Sequence, residues 1–261
     1  MSINNVCEND SCCIYCRTVM ETSWCWILII TVAISIWLHR FRGSAIMSNI
    51  IGKSVLILTA HPDDECMFFG PTICSLSSVG VPIHILCLST GDYYGLGETR
   101  ISEFYKSVSL LGVQSERAHI VNDYTLPDSQ TIFWNTSDIL GHLSDIIKKH
   151  NIDVVITFDS GGVSGHPNHI SLFQALRNNP FPSLTVYKLK TVSIFRKYSS
   201  IVDLFISNML KENIFVTPAD KLFMPFLAMF AHSSQLVWFR YLYIAFSRYM
   251  IMNSLESINE Q

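Results

Sequence analysis

The sequence predicts an α/β protein: a Rossmann-like layered fold with a mostly parallel sheet, preceded by an N-terminal transmembrane helix. Three observations carry this prediction. Short apolar, β-branched runs alternate with segments of helical periodicity, the pattern of parallel strands joined by crossover helices. Two dense polar clusters follow the first and fourth of those runs. A charge-free, tryptophan-bordered stretch near the N-terminus is followed closely by two arginines.

Residues 1–23 form a polar tail with four cysteines, Cys7, Cys12, Cys13 and Cys16. Cys13 and Cys16 have C-x-x-C spacing but no second pair or neighbouring histidine, so they read as ordinary thiols rather than a zinc knuckle. Residues 24–38, WCWILIITVAISIWL, carry no charge. Fifteen helical residues span about 22 Å, short of the roughly 30 Å hydrocarbon core. Flanking residues complete the span by snorkelling, and Trp24, Trp26 and Trp37 suit the interfaces. A cleaved signal peptide needs positive charge ahead of its apolar run. Here Arg40 and Arg42 follow it, which favours a signal anchor with everything downstream in the cytosol. Residues 39–52 read as a linker, in which Met47 offers an internal start.

A catalytic domain is expected over residues 53–255. Strands are predicted at 53–60, 81–89, 118–121, 152–158 and 184–189. Helices are predicted at 67–79, 98–111, 136–150 and 169–176, and from about Ile201 the chain reads as helical and unusually apolar. Cys66, Cys74 and Cys87 read as small core residues. Charged residues make up 15% of the chain, below the typical figure of about 25%, which points to membrane contact. The net charge of −3 gives no nucleic-acid footprint.

The chemistry lies at the strand ends, where open α/β sheets bind their ligands. The first cluster is Ala60-His-Pro-Asp-Asp-Glu65, and the second is Gly165-His-Pro-Asn-His169. Helix capping accounts for any single acid of the first cluster. It does not account for a histidine beside three consecutive acids, which repel one another unless a cation offsets them. Strands one and four can be neighbours in such a sheet, so the clusters can meet as one metal site. Histidine and carboxylate donors suit zinc or iron(II), and a catalytic zinc takes three protein ligands. Spacing alone leaves open whether Asp63 or Asp64, and His166 or His169, touches the metal.

AHPDDE (60–65) with the later HPNH (166–169) resembles the PIG-L/LmbE-like zinc de-N-acetylases. TFDSGGVSGHPNH (157–169), GDYYGLGETR (91–100) and HSSQLVWFRYLYIAFSRYMIMNSL (232–255) are similar to the eukaryotic, membrane-bound branch of that family. The likeness runs from about Val55 to Leu255. It implies removal of the acetyl group of N-acetylglucosaminyl-phosphatidylinositol, the second step of GPI-anchor synthesis, at the endoplasmic reticulum membrane. The membrane glycolipid and the bilayer are then the partners, and no nucleic acid is involved. The resemblance makes His61, Asp64 and His169 the zinc ligands, Asp63 the general base and His166 the electrophile or acid. It places Asp92 and Asp159 beside the site, where they would orient ligands. Arg100 becomes either a substrate contact or a salt-bridge partner of Glu103. His232 and Gln235 match an H-x-S-Q element, and His232 is counted with Asp92, Arg100 and Asp159 among the residues that would touch substrate or support the ligands. Pro167 departs from the small residue expected there in animal members, although bacterial relatives also carry proline.

Leu222–Ile251, with Phe, Met, Trp and Tyr around Arg240 and Arg248, reads either as an interfacial membrane helix or as an apolar helix packed on the core. Other readings of the whole chain are weaker. A deacetylase of soluble conjugates needs no anchor, a nucleotide-binding module needs a glycine fingerprint after strand one, and a catalytically silent scaffold need not retain all five site residues.

Overall fold

A computed structural model describes residues 45–178 and 180–259. The polar tail, the expected anchor at 24–38 and the five N-terminal cysteines lie outside the described residues. Among the described residues no helix is long and apolar enough to cross a membrane.

The sheet has seven strands in the order β3-β2-β1-β4-β5-β7-β6. The strands are β1 Val55–Thr59, β2 Ile83–Cys87, β3 Ala118–Ile120, β4 Val154–Phe158, β5 Thr185–Leu189, β6 Asn213–Val216 and β7 Met252–Ser257. The first five in chain order pair in parallel. β1, β2 and β4 are buried at every position, as parallel strands covered on both faces must be. The helices are α1 Ala45–Ile50, α2 Asp64–Met67, α3 Gly70–Ser78, α4 Gly97–Leu110, α5 Thr136–His150, α6 Gly162–Gly165, α7 Pro167–Leu176, α8 Ile194–Lys197, α9 Ile201–Met209, α10 Met224–Ala231 and α11 Trp238–Phe246. α5 packs beside α7, while α10 packs beside α2, α3 and α4. Right-handed crossovers put these two sets on opposite faces of the sheet.

Three expectations change. The helix expected over 67–79 is broken at Phe68 and Phe69, and restarts with Pro71 in its first turn, where a missing N–H costs nothing. α1 occupies part of the segment read as a linker and buries Ile46, Met47 and Ile50. The region after Ile201 is not all helical: β7 runs antiparallel between β5 and β6 and extends the sheet. Its polar residues are inside and bonded. Asn253 accepts from the Thr72 N–H and hydroxyl and donates to the Phe68 carbonyl. Cys66, Cys74 and Cys87 are buried free thiols, as expected.

Candidate active site

β1 has β2 on one side and β4 on the other, so the chain order reverses at β1. The crevice at such a reversal is where open sheets bind ligands. β1 leads through Ala60–Asp63 into α2, and β4 leads through residues 159–166 into α7. The two polar clusters therefore meet. One ring nitrogen from each of His61, His166 and His169 lies within 4.8 Å of the others.

The hydrogen bonds behind the rings decide what each nitrogen can do. Asn168 donates from Nδ2 to the Ile132 carbonyl and accepts at Oδ1 from the Ser129 N–H, so its amide orientation is set. His61 Nε2, 2.9 Å from that oxygen, must then be the donor. In a neutral imidazole the other nitrogen keeps its lone pair, and His61 Nδ1 lies 3.8 Å from Asp64 Oδ2. His169 Nδ1 donates to the Gly162 carbonyl at 3.0 Å, so a neutral ring keeps its lone pair on Nε2. Burial favours that neutral form, and the Asp64 carboxylate outweighs it and raises the His169 pKa above its ordinary value. His169 Nε2 is buried, 3.2 Å from Asp64 Oδ1, with no hydrogen-bond partner among the described residues. Phe158 stacks on the His169 ring with centroids 4.1 Å apart. His166 differs: as N-cap of α7 its Nδ1 accepts the Asn168 N–H, which leaves Nε2 carrying hydrogen. Asp64 Oδ2 accepts the Ala60 and His61 N–H groups, leaving Oδ1 toward His169. In neutral rings His61 Nδ1 and His169 Nε2 offer lone pairs beside the Asp64 carboxylate, and the convergence of His61, His166 and His169 makes this a cluster that could hold a divalent metal.

The three consecutive acids do not all need that metal. Asp63 Oδ2 accepts from Arg240 Nη2 at 2.8 Å. Glu65, fully buried, accepts from His232 Nε2 at 2.7 Å and from the Ser107 hydroxyl. Each neighbour has its own cation or donor, which corrects the expectation that one cation offsets all three. Asp63 also has φ 117, a left-handed backbone unusual for a non-glycine residue. Such a conformation costs on the order of 1–3 kcal/mol and persists only where the surroundings impose it. Here the Asp63 N–H donates to Glu65 Oε2, and the Asp63 carbonyl accepts the Cys66 and Met67 N–H groups.

The remaining expected residues divide. Asp159 accepts from the Gly161 and Gly162 N–H groups and from Thr191, so it fixes the loop whose Gly162 carbonyl orients His169. Asp92 is exposed and accepts the Gly97 N–H; it orders its own turn and touches no ligand. Arg100 makes no pair with Glu103, whose carboxylate is taken by Ser233 and Ser234. Its guanidinium instead donates to the Gly91 and Pro62 carbonyls, Asp128 and Gln235. Gln235 Nε2 lies 3.1 Å from His232 Nδ1. A chain of contacts thus runs from Arg100 through Gln235, His232 and Glu65 to the Asp63 N–H. Arg248 is wholly buried against Asp203, and Arg240 turns inward, so neither forms a basic outer face on the C-terminal helices. The residues that pattern reading missed are Asn168, which stood inside the quoted HPNH, and Asp128, which carried no local signal; Arg240 was named on the C-terminal segment but not as a partner of Asp63.

Charge follows burial and neighbours. Burial pushes the Asp63 carboxyl above its ordinary value; Arg240 pulls it back and Asp64 adds to the rise. At Asp64 burial also opposes the charge, but His169 and His61 hold the carboxyl well below the usual range. Burial, with His61 and His169 adding, lowers His166 to about 4. It is therefore neutral near pH 7 and offers a neutral N–H.

Comparison with known proteins shows the family and the fold. Residues 56–179 match the family model described as PIG-L, GlcNAc-PI de-N-acetylase. A probable N-acetylglucosaminyl-phosphatidylinositol de-N-acetylase of Schizosaccharomyces pombe is 37% identical over 243 residues, 89% of this chain and 98% of that protein. The N-acetylglucosaminyl-phosphatidylinositol de-N-acetylase of Bos taurus is 39% identical over 210 residues, 78% of this chain and 83% of that protein. The solved N,N'-diacetylchitobiose deacetylase of Pyrococcus horikoshii shares the fold, with TM-score 0.55 and 20% identity over 78% of this chain and 83% of that one.

Proposed function

The chain belongs to the PIG-L family of GlcNAc-PI de-N-acetylases, and from that membership we infer that it hydrolyses the acetamide of N-acetylglucosaminyl-phosphatidylinositol, releasing acetate and the glucosaminyl lipid. The observation that carries the reading is the pair of histidines whose tautomers are fixed from behind, so that His61 Nδ1 and His169 Nε2 keep lone pairs beside the Asp64 carboxylate. We assign these three residues as holders of a zinc-class ion. When bound, such an ion supplies Lewis acidity, polarising the acetyl carbonyl and lowering the pKa of water to about 7.

The chain's own residues do the rest. Asp63 takes the proton of the attacking water; its raised carboxyl is a better base for that step than an ordinary aspartate. His166 donates its Nε2–H to the oxyanion as the C–N bond weakens. The proton held at Asp63 returns to the departing amine, and acetate remains. Arg240 keeps the Asp63 carboxylate in place and is a positioning residue. Arg240→Gln is expected to lower kcat about 10–100-fold, with KM and metal content little changed. Because Arg240 lowers the Asp63 pKa, its removal is also expected to move the acid limb of the pH–rate profile to higher pH. An unchanged profile and kcat would exclude the positioning role.

The test of the whole reading is acetate release from N-acetylglucosaminyl-phosphatidylinositol, measured together with bound metal. Activity lost on chelation and restored by Zn2+ is expected. Release of acetate from soluble N-acetylglucosamine conjugates at the same rate would overturn the lipid assignment.

A lipid substrate places the enzyme at a bilayer, and we assign it to the endoplasmic reticulum membrane through the anchor at 24–38, with the domain of residues 53–255 in the cytosol. The C-terminal segment supports close contact with lipid. α10 and α11, with the residues flanking them, expose Phe223, Phe230, Trp238, Phe239, Tyr241 and Leu242, while Arg240 of the same helix reaches Asp63. Exposed aromatic side chains gathered on neighbouring helices mark a surface that meets a partner or a membrane. With both arginines turned inward, insertion of aromatic side chains, not basic attraction, is what this face offers. A chain lacking residues 1–42 is expected to float with neutral phosphatidylcholine liposomes, and Phe223, Trp238 and Phe239 changed to serine should abolish flotation. No flotation of the shortened chain would sink the contact.

A further inference from the structure

A second convergence of nitrogen ligands lies at the other end of the sheet from the active site. His84 is the second residue of β2, His119 is the middle residue of β3, and His150 is the last residue of α5. His119 pairs in register with Leu86, two residues along from His84, so both histidines project from the same face of the sheet. α5 brings His150 to that face. Ring centroids are 4.5 Å apart for His84 and His150, 4.9 Å for His119 and His150, and 5.9 Å for His84 and His119. One ring nitrogen of each lies within 4.8 Å of the others. His84 Nδ1, His119 Nε2 and His150 Nε2 are all buried and have no hydrogen-bond partner among the described residues. Buried polar atoms are bonded as a rule, so three unsatisfied imidazole nitrogens in one place need a ligand to explain them.

We propose that His84, His119 and His150 form a second metal site, for a borderline divalent transition-metal ion such as Zn2+, Co2+ or Cu2+. Three neutral imidazoles without a carboxylate exclude calcium and magnesium, which require oxygen donors. The rings are ready as ligands. Burial lowers His84 to about 4, with His150, His119 and Arg117 adding, and burial lowers His119 and His150 as well. Arg117 and Lys149 are the charged groups acting on the cluster, and both are cationic. They oppose an ion held by charge alone and leave imidazole donation to hold it. The cluster also sits at the negative end of the fifteen-residue α5, which favours a cation. Bond lengths of about 2.0–2.1 Å require the rings to draw together, and the half-buried His119 and His150 supply that movement. The ion would tie the edge strand β3 and the end of α5 to β2, a structural clip independent of the reaction and of the deacetylase assignment.

Equilibrium dialysis of the full chain in detergent micelles against micromolar Zn2+ reads the metal bound per chain. The wild-type chain is expected to hold two ions. A chain with His119→Gln and His150→Gln is expected to hold one and to keep its acetate release. A chain with His61→Ala and His169→Ala is expected to lose activity and still hold one. Zn2+ should raise the thermal midpoint of this last chain, and should not do so once His119→Gln and His150→Gln are added. Cu2+ bound to it should show coupling to imidazole nitrogens in its electron paramagnetic resonance spectrum. If the chain lacking His61 and His169 binds no Zn2+ and its midpoint is unmoved, the second site does not exist. That arm leaves the three proposed ligands intact, so it decides the matter even if the glutamine variants fail to fold. If that chain binds Zn2+ while the glutamine chain binds none, the second site stands and the active-site metal assignment falls.

Discussion

Asp63→Asn is expected to lower kcat by about 10²–10⁴-fold while leaving metal binding and stability nearly unchanged. The substitution removes basicity and little else. Asparagine has the same shape, still accepts from Arg240 Nη2, and tolerates the positive φ of this position better than most residues. The metal should remain because the three proposed ligands are other residues, each oriented by its own partners. The contrasting variant is His169→Ala, expected to lose metal and activity together. Single-turnover acetate release, with metal content measured on the same sample, separates the two. Normal turnover by a folded, metal-loaded Asp63→Asn would refute the base assignment.

Asp203→Ala is expected to cost about 3–5 kcal/mol of stability, far from any reacting atom. Asp203 is fully buried on α9, where it accepts from Arg196 and Ser207 and pairs with the wholly buried Arg248. Its removal leaves the buried Arg248 guanidinium with only the Glu212 carboxylate, 3.9 Å away, to offset it. For a domain of this size the thermal midpoint moves roughly 2–4 °C per kcal/mol, so a fall on the order of 10 °C is expected. Adding Arg248→Met should recover part of it, because a buried pair replaced by apolar groups is often tolerated. The same cluster sets a pH dependence. Burial opposes the Glu212 charge, but Arg196 and Ser254 outweigh it and hold the carboxyl at about 2. A lowered folded-state pKa gives stability that is present above the ordinary value of 4.5 and is lost as pH falls through the folded one. The midpoint should therefore drop between about pH 4.5 and 2, and that part of the drop should be smaller in Glu212→Gln.

The parallel half of the fold and the two ends of the site were legible because they obey local rules. β1, β2 and β4 are uninterrupted apolar runs, since both of their faces are covered. His61, Asp63 and Asp64 sit directly after one such run, and His166 and His169 follow another after a short loop. β7 escaped because its buried positions include Asn253 and Ser254, which are satisfied by Thr72, Phe68, Arg248 and Glu212 rather than by apolar packing. Hydrophobic periodicity cannot register a polar residue whose partner is 181 positions away. The placement of Arg240 and Arg248 stayed open between two readings for a related reason. On an aromatic-rich segment a basic residue looks like an outer face, yet both point inward to carboxylates far off in sequence. The choice between His166 and His169 needed resemblance at the sequence level. In the structure the two rings differ in what their Nδ1 meets, the Asn168 N–H for His166 and the Gly162 carbonyl for His169, and the proposed division of roles rests on that difference.

The contacts from the C-terminal segment to the catalytic loop have a consequence for synthesis on the ribosome. His232 reaches Glu65, Arg240 reaches Asp63, and β7 is inserted between β5 and β6. The proposed metal ligands are all translated by residue 169, but the groups that bond the Glu65 and Asp63 carboxylates, His232 and Arg240, follow some 60 to 70 residues later. A nascent chain can therefore assemble the ligands well before it can catalyse. Competence arrives only when residues 232–257 have left the exit tunnel and closed over the loop.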